Sequence, residues 1–253
     1  MIFQKKIPAY VLIYDQVEII RETLEHLKTL RNKLDLIVIE NPSSNSPQIQ
    51  SIITDLANVG AIKRHYLFTE NIAANAFDIV LNIEKDMVAK SPYVLVSDGD
   101  LISTDTKWLA EEIKIIKGHK NVFACGVSLD RSNLPVDTFP SANEWIPQDK
   151  FDYGDYIEAP TGAHLLLFRG KELAGFLVWK NKYNRYFIDG ELHEYCYAVL
   201  NKMWSRTKYS QAYHLTWDLY KDKENAYTKL KTGTSFKDTW YHRKTAEYSV
   251  TQY

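Results

Sequence analysis

Tyr93-Val94-Leu95-Val96-Ser97-Asp98-Gly99-Asp100 joins a short apolar run to two carboxylates held one residue apart. A continuous apolar run of this length, following Pro92, predicts a strand covered on both faces, as in a parallel sheet. Two acids flanking a small residue where such a strand meets its loop suit one hard cation, which takes oxygen ligands and keeps positions for substrate phosphates. A cation on a diphosphate neutralises charge that builds as a nucleotide leaves, and Gly99 lets backbone and ligand approach closely. Asp and Gly also dominate plain turns, so the setting of the triplet decides between the two readings.

That setting is a series of alternating strands and helices. Tyr10-Val11-Leu12-Ile13-Tyr14 reads as a first buried strand, and Asp15 stands three residues before Glu18 in the pattern of a capping box. Val17, Ile20, Leu24, Leu27 and Leu30 follow at helical spacing. Leu36 to Ile39 is a second strand, Glu40 to Asn45 a polar loop, and Ser46-Pro47 opens a helix striped by Ile49, Ile52, Ile53 and Leu56. Ile62 to Phe68 predicts a third strand, and Asn71 to Lys85 a helix with Ile72, Phe77, Val80 and Ile83 inward. After the Asp98-Gly99-Asp100 strand come a helix marked by Trp108, Leu109, Ile113 and Ile116 and a strand over Val122 to Val127. The order predicts an α/β fold whose mostly parallel central sheet carries helices on both faces. Ligands of such sheets bind beyond the carboxyl ends of the strands, where the loops after Tyr14, Ile39 and Val96 all fall.

Leu129 to Tyr156, with Pro135, Pro140 and Pro147 and no period, reads as a long loop suited to a lid or an acceptor site. Ala163 to Phe168 returns to strand, and Lys171 to Lys180 and Gly190 to Met203 read as helical. The simplest organisation is one domain over residues 1–218, with a basic, aromatic, helical or irregular extension over 219–253 packed on or flanking it.

Composition sets the outer bounds. A chain of 253 residues, 45% apolar and 25% charged, holds a sizeable core. No apolar run approaches the roughly 18 residues that span a bilayer, and the N-terminal residues do not read as a signal peptide. Cys125 and Cys196 stand far apart and read as buried free thiols, which suits a reducing cytoplasm. The net charge of −1 hides an asymmetry: from Asn201 onward ten Lys/Arg outnumber five Asp/Glu, leaving −6 on the first 200 residues. The same C-terminal stretch holds eleven aromatics, among them Trp204, Trp217, Trp240 and Tyr241. Such a tail suits anionic headgroups at the inner face of a membrane, or a phosphate-bearing substrate; a solvated basic face is the plainer reading. Neutral overall balance and the lack of a reading motif argue against nucleic acid.

Taken in order, these segments resemble the GT-A-fold glycosyltransferases, above all the family 2 inverting group, over about residues 7–218. That group pairs a first strand ending like Tyr14-Asp15 with an acidic second-strand end, here Glu40-Asn41-Pro42-Ser43-Ser44. It follows the third strand with a segment like Glu70-Asn71-Ile72-Ala73-Ala74-Asn75, and then with the acidic triplet. Two departures stand out: Glu40 replaces the usual aspartate and Ala73 the usual glycine. The resemblance implies transfer of a sugar, with inversion, from a nucleotide-sugar donor, UDP-sugar being commonest. The acceptor would be a glycan or polyprenyl-linked glycan in surface polysaccharide synthesis. It implies a divalent metal, Mn²⁺ or Mg²⁺, on Asp98 and Asp100, with His214 as a further ligand. Tyr14, Asp15, Glu40, Asn71 and Asp98 would bind the donor nucleotide, and Thr161, Gly162 and Trp217 the acceptor.

An inverting transferase needs a carboxylate that takes the proton from the acceptor hydroxyl. In Tyr186-Phe187-Ile188-Asp189-Gly190-Glu191-Leu192, Asp189 fits that role first and Glu191 second; both also suit a helix N-terminus, and the two roles are compatible. His164, His193 and His242 read as structural, since their spacing favours no metal site. Two other readings stand beside it: a catalytically inactive carbohydrate-binding or assembly protein that keeps the fold, and a sugar-phosphate nucleotidyltransferase on a related sheet. The latter needs a Gly-rich loop after the first strand, and no glycine follows Tyr14 until Gly60. The lack of G-x-G-x-x-G and G-K-[ST] motifs likewise argues against a dinucleotide dehydrogenase or a P-loop kinase.

Overall fold

A computed structural model describes residues 5–103, 105–233 and 245–253. Trp240, Tyr241 and His242 lie outside the described residues. In chain order the elements are β1 (Ile7–Tyr14), α1 (Val17–Lys28), β2 (Leu34–Asn41), α2 (Ser46–Asn58), β3 (Ile62–Phe68), α3 (Asn75–Ile83), α4 (Lys85–Lys90), β4 (Tyr93–Asp98) and β5 (Leu101–Ser103). There follow α5 (Trp108–Gly118), β6 (Val122–Leu129), β7 (Phe151–Asp152), β8 (Tyr156–Glu158), β9 (Leu166–Arg169), α6 (Gly170–Lys182), α7 (Asp189–Glu194), β10 (Met203–His214), α8 (Thr216–Tyr220), α9 (Ala226–Gly233) and β11 (Tyr248–Gln252).

Among the described residues the strands form one 11-stranded sheet in the order β11-β3-β2-β1-β4-β9-β6-β10-β8-β7, with β5 on β10. Its centre, β3-β2-β1-β4, is parallel, and β6 and β10 are also parallel. β9 runs antiparallel between β4 and β6, and the edges are antiparallel, so the sheet as a whole is mixed. Alternate side chains of each central strand enter opposite cores. Ala9, Val11, Ile13, Leu36 and Val38 pack with α1, α2 and α5, while Tyr10, Ile37 and Ile39 pack with α3, α4 and α6. Burial on both faces is why these strands read as unbroken apolar runs rather than alternating ones. Each fully buried aliphatic side chain contributes roughly 1.5–3 kcal/mol of transfer free energy.

Several local readings change. Asp15 adopts φ 65° and Gln16 stands at the helix start without a side-chain cap, so the capping box does not form. The helix expected over Asn71 to Lys85 is two, α3 and α4, and Ile83 is exposed. The helix expected over Gly190 to Met203 stops early: α7 gives way to a π-helical turn over Tyr195–Val199, and Met203 already begins β10. The 129–156 stretch contains a 3₁₀ turn, Pro140–Glu144, and β7. Both cysteines are free and buried. The C-terminal stretch joins the body: β11 pairs with β3 from Tyr248↔Phe68 to Gln252↔Arg64, and Tyr248 packs its ring on Tyr66 and Phe68. No helix among the described residues is long and apolar enough to cross a membrane.

Two polar anchors set the frame. Glu111 on α5 accepts the backbone N–H groups of Lys208, Tyr209 and Ser210 at 2.8, 3.0 and 2.9 Å. It thereby holds the irregular stretch where β10 shifts register against β6. At the start of α6, Gly170 lies so close to α4 that an added Cβ would meet Ser91 O and Val88 O, each at 2.2 Å. Both are backbone atoms, so the overlap has no flexible side chain to absorb it. Gly170→Ala is expected to destabilise the fold by about 3 kcal/mol. Gly118→Ala, which meets nothing within 4 Å, should change it by less than about 0.5 kcal/mol. Urea unfolding midpoints compare the two.

Candidate active site

The carboxyl ends of β1, β2 and β4 open into a cleft of about 480 Å³. Its lining includes Tyr14, Asn41, Asn71, Asp98, Gly99, Asp100, Thr161, Gly162, His164, Asp189, His193 and His214. Asp98 ends β4 opposite Leu12 of β1. Gly99 then presses on β1: an added Cβ would lie 2.5 Å from Ile13 Cγ2 and 2.7 Å from Leu12 O. The glycine is therefore a requirement of packing, and it seats the turn on the cleft floor.

Asp100 is fixed from the far side of the sheet. Its backbone oxygen accepts Leu215 N at 2.8 Å, and Thr216 Oγ1 donates to its Oδ2 at 2.7 Å. His214 Nδ1 lies 3.6 Å from the same oxygen. The His214 ring stacks flat on the Trp217 indole, 4.6 Å between centroids and 5° between planes, and Asn133 donates to His214 O at 2.9 Å. Asp100 Oδ1, by contrast, is buried and has no hydrogen-bond partner. A buried carboxylate oxygen whose lone pairs have no partner is costly unless something satisfies it, and a hard cation is a group of the right kind. Among the described residues no cluster of three or more His, Cys, Asp or Glu could hold a metal ion. A cation here would therefore need oxygens from a ligand, as sites that take substrate phosphates do.

The adjoining wall is the segment Thr161 to Leu165, strapped by Asp98 N to Ala163 O, Val127 N to His164 O and Leu165 N to Ser97 Oγ. Trp204 Nε1 donates to Thr161 Oγ1 at 3.0 Å. A Cβ on Gly162 would lie 3.0 Å from His164 Nε2 and 3.4 Å from Asp189 Oδ2. The imidazole and the carboxylate thus approach each other across the one residue that has no side chain. Burial holds the His164 pKa down to about 3, with the neighbouring His214 adding to the effect. Crowding by the cleft wall pushes the Asp189 pKa up to about 6. The Asp189 side chain nevertheless remains exposed to water in the open cleft. Solvent tempers the rise, which grows when a ligand displaces that water.

The remaining expected site residues fall in varied places. Tyr14 and Asn71 line the cleft, and Asp15 lies behind it, accepting from Asn45 and Gln16. Glu40 is fully buried beside His65, with Nε2 and Oε2 2.8 Å apart but off the line of a hydrogen bond, and does not line the cleft. Its neighbour Asn41 does, fixed by Ile72 N to Oδ1 and by Nδ2 to Ala73 O, both 3.1 Å. Trp217 is 4% exposed and backs His214 rather than facing the cleft. Glu191 turns to Arg185 at 3.4 Å, outside the lining. His164 and His193, read as structural, both line the cleft. His193 follows Asp189 by four residues, one helical turn, a spacing that places both on one face of α7. Tyr220, Tyr227 and Leu230 close another side. Burial, with the charges of Asp100 and Asp98 nearby, raises the pKa of both tyrosines.

No family model matches the chain. Two uncharacterized proteins of Acanthamoeba polyphaga mimivirus are similar in sequence. One is 40% identical over 251 residues, 98% of this chain and 51% of the relative. The other is 44% identical over 233 residues, 89% of this chain and 31% of the relative. The chain thus spans about half or less of the length of these relatives. Among solved structures, a mannosyltransferase from Pyrobaculum calidifontis in complex with GDP-Man and Mn²⁺ aligns with a TM-score of 0.56 at 16% identity, over 85% of this chain and 58% of that one. GalNAc-T7 with UDP, GalNAc and Mn²⁺ aligns at 0.54 and 9% identity, over 83% and 43%. The large central sheet flanked by helices is that of the GT-A glycosyltransferases.

Thr216 is 2% exposed, so its bond to Asp100 is shielded from water. Thr216→Val keeps the shape and removes the donor. It should cost about 1–3 kcal/mol of stability, while Thr216→Ser retains most of it; thermal melts at one pH separate the two.

Proposed function

We propose that the chain transfers a glycosyl group, with inversion, from a nucleotide-sugar donor to a hydroxyl of a glycan or lipid-linked glycan, using a divalent cation. The observation that carries this reading is the pairing of two unlike acids across one cleft. Asp100 presents a buried, unpartnered oxygen beside Asp98, and Asp189 lines the same cleft across Gly162 from His164, its pKa raised. The two solved structures of like fold each hold Mn²⁺ with a nucleotide or nucleotide sugar, which supports the same ligand class here.

Asp98 and Asp100 would hold Mn²⁺ or Mg²⁺ together with oxygens of the donor, and His214, 3.6 Å from Asp100 and not clustered with the two acids as a third ligand, would support Asp100 instead. When bound, the cation neutralises charge on the departing nucleoside diphosphate. Tyr14, Asn41 and Asn71 line the part of the cleft proposed for the nucleoside. Asp15 supports that wall from behind, and Glu40 acts on it only through its neighbour Asn41. Thr161 and Gly162 border the acceptor, whose hydroxyl gives its proton to Asp189 while its oxygen attacks the anomeric carbon. Glu191 serves this base indirectly, by anchoring Arg185 beside α7, and Trp217 serves the metal side by fixing His214. A UDP-sugar is the proposed donor, and UDP is the first nucleotide to test.

Calorimetric titration with UDP, GDP and CMP, with and without Mn²⁺, tests the reading. UDP is expected to bind only with Mn²⁺, and Asp100→Asn to weaken it by about tenfold or more. Failure of every nucleotide to bind under any condition would remove the metal-dependent transferase reading. The pH dependence carries a sign. Asp189 must be ionised to accept a proton, and its pKa is raised, so kcat/KM for transfer should climb as pH rises through about 6. Asp189→Asn should abolish that limb and most of the rate. The same shift acts oppositely on stability. Proton uptake by folded Asp189 stabilises the fold at low pH, and that contribution is lost as pH rises through about 6.

A further inference from the structure

The end of the parallel strands opposite the cleft carries a second hollow, of about 660 Å³. β1, β2 and β3 begin there and α4 ends there. Five cations, Lys5, Lys6, Lys63, Arg64 and Lys90, line it against one acid, Asp35. Two of the five are already engaged: Lys6 lies 3.6 Å from Asp35, and Arg64 pairs with the buried Glu84. Lys5, Lys63 and Lys90 have no ion-pair partner among the described residues. They gather in a stretch of chain whose overall balance is −6, so acids were available and are not used here.

Like charges lining one hollow repel each other, and at separations up to the Debye length of about 8 Å at physiological salt that repulsion is incompletely screened. Met87 and the Tyr253 ring form apolar wall over the buried Pro8 and Ile37, and a concave site lined by one sign over low-dielectric walls focuses its field. Lys90 alone has a local explanation, since a cation at the C-terminus of α4 meets the negative end of the helix. Lys63 lies on a strand and Lys5 precedes one, so neither shares that explanation.

We propose that this hollow is a binding site for a phosphate-bearing ligand, separate from the cleft and independent of the divalent cation. Lys5, Lys63 and Lys90 supply the charge, and the apolar wall accommodates whatever the phosphate is attached to. The ligand is either a soluble phosphate compound or the headgroup of an anionic lipid. Cleft and hollow open at opposite ends of the parallel strands, so both sites can be filled at once. This inference does not rest on the proposed transferase activity.

Titration with inorganic pyrophosphate in the presence of EDTA tests it, using the full chain, Asp100→Asn and the double variant Lys63→Glu/Lys90→Glu. Native protein and Asp100→Asn should bind alike, and the double variant about tenfold more weakly. The affinity of the native protein should fall as salt is raised. Co-sedimentation with vesicles of phosphatidylcholine, with and without phosphatidylglycerol, distinguishes the sources. Binding to anionic vesicles that the double variant loses assigns the site to a headgroup. Binding to pyrophosphate alone assigns it to a soluble ligand. If the native protein binds neither probe, or if Asp100→Asn loses the pyrophosphate while the double variant keeps it, the proposal is overturned. Unchanged melting of the double variant excludes misfolding as the cause, and Lys63→Gln/Lys90→Gln should give an intermediate loss.

Discussion

The turn after β4 lies against the backbone of β1, and there is no room for a side chain between them. Parallel pairing brings Leu12 opposite Asp98, so the chain leaving β4 must cross the end of β1 at van der Waals distance. Glycine permits that crossing, and its flanking acids then emerge on the cleft floor beside Tyr14. The end of β10 is drawn in by the same turn. Asp100 binds Leu215 through its backbone and Thr216 through its side chain, which brings His214 over the cleft and Trp217 beneath it. One close approach between two strands therefore positions residues more than a hundred apart in sequence.

The loops around this turn are held in conformations that cost energy. Asp15, Ala73 and Leu165 have φ of 65°, 50° and 49°, a region that disfavours residues with a Cβ by roughly 1–2 kcal/mol each. Each is tied by a side chain from a neighbouring loop or strand end. Asn45 donates to Asp15, Asn41 donates to Ala73 O, and Ser97 accepts from Leu165 N. Hydrogen bonds at roughly 0.5–1.5 kcal/mol apiece offset the strain. Strain retained around a cleft and over-determined by its surroundings is characteristic of ligand sites.

These ties explain what the sequence did and did not disclose. The strands were legible because burial on both faces leaves an unbroken apolar signature, and the acidic triplet because it follows one of them. Asp15 was misread because an Asp before a helix looks like a cap, and only the left-handed backbone shows otherwise. The setting of Glu40 was hidden by distance: its partner His65 lies on the next strand, and the polar group left facing the cleft is its neighbour. Trp217 looks like a sugar platform in isolation, yet its face is covered by a histidine three residues earlier. His164 and His193 carry no metal-ligand spacing, so nothing local marked them. The four-residue step from Asp189 to His193 was the available signal, but it becomes informative only once α7 is known to face the cleft.

The two walls of the cleft place like groups in unlike settings, and that difference is itself an argument about chemistry. Asp100 is held by a hydroxyl donor on one oxygen and left open on the other, an arrangement that suits an anion meeting a cation. Asp189 faces a wall that raises its pKa toward the range where a carboxylate exchanges protons at working pH. A fold that needed only a turn acid and a helix-end acid would gain nothing from separating their environments in this way. Divergent surroundings for two carboxylates in one cleft are how a site assigns one to charge and the other to proton transfer. Gly162 keeps the two settings open to each other, since a side chain there would fill the space between Asp189 and His164.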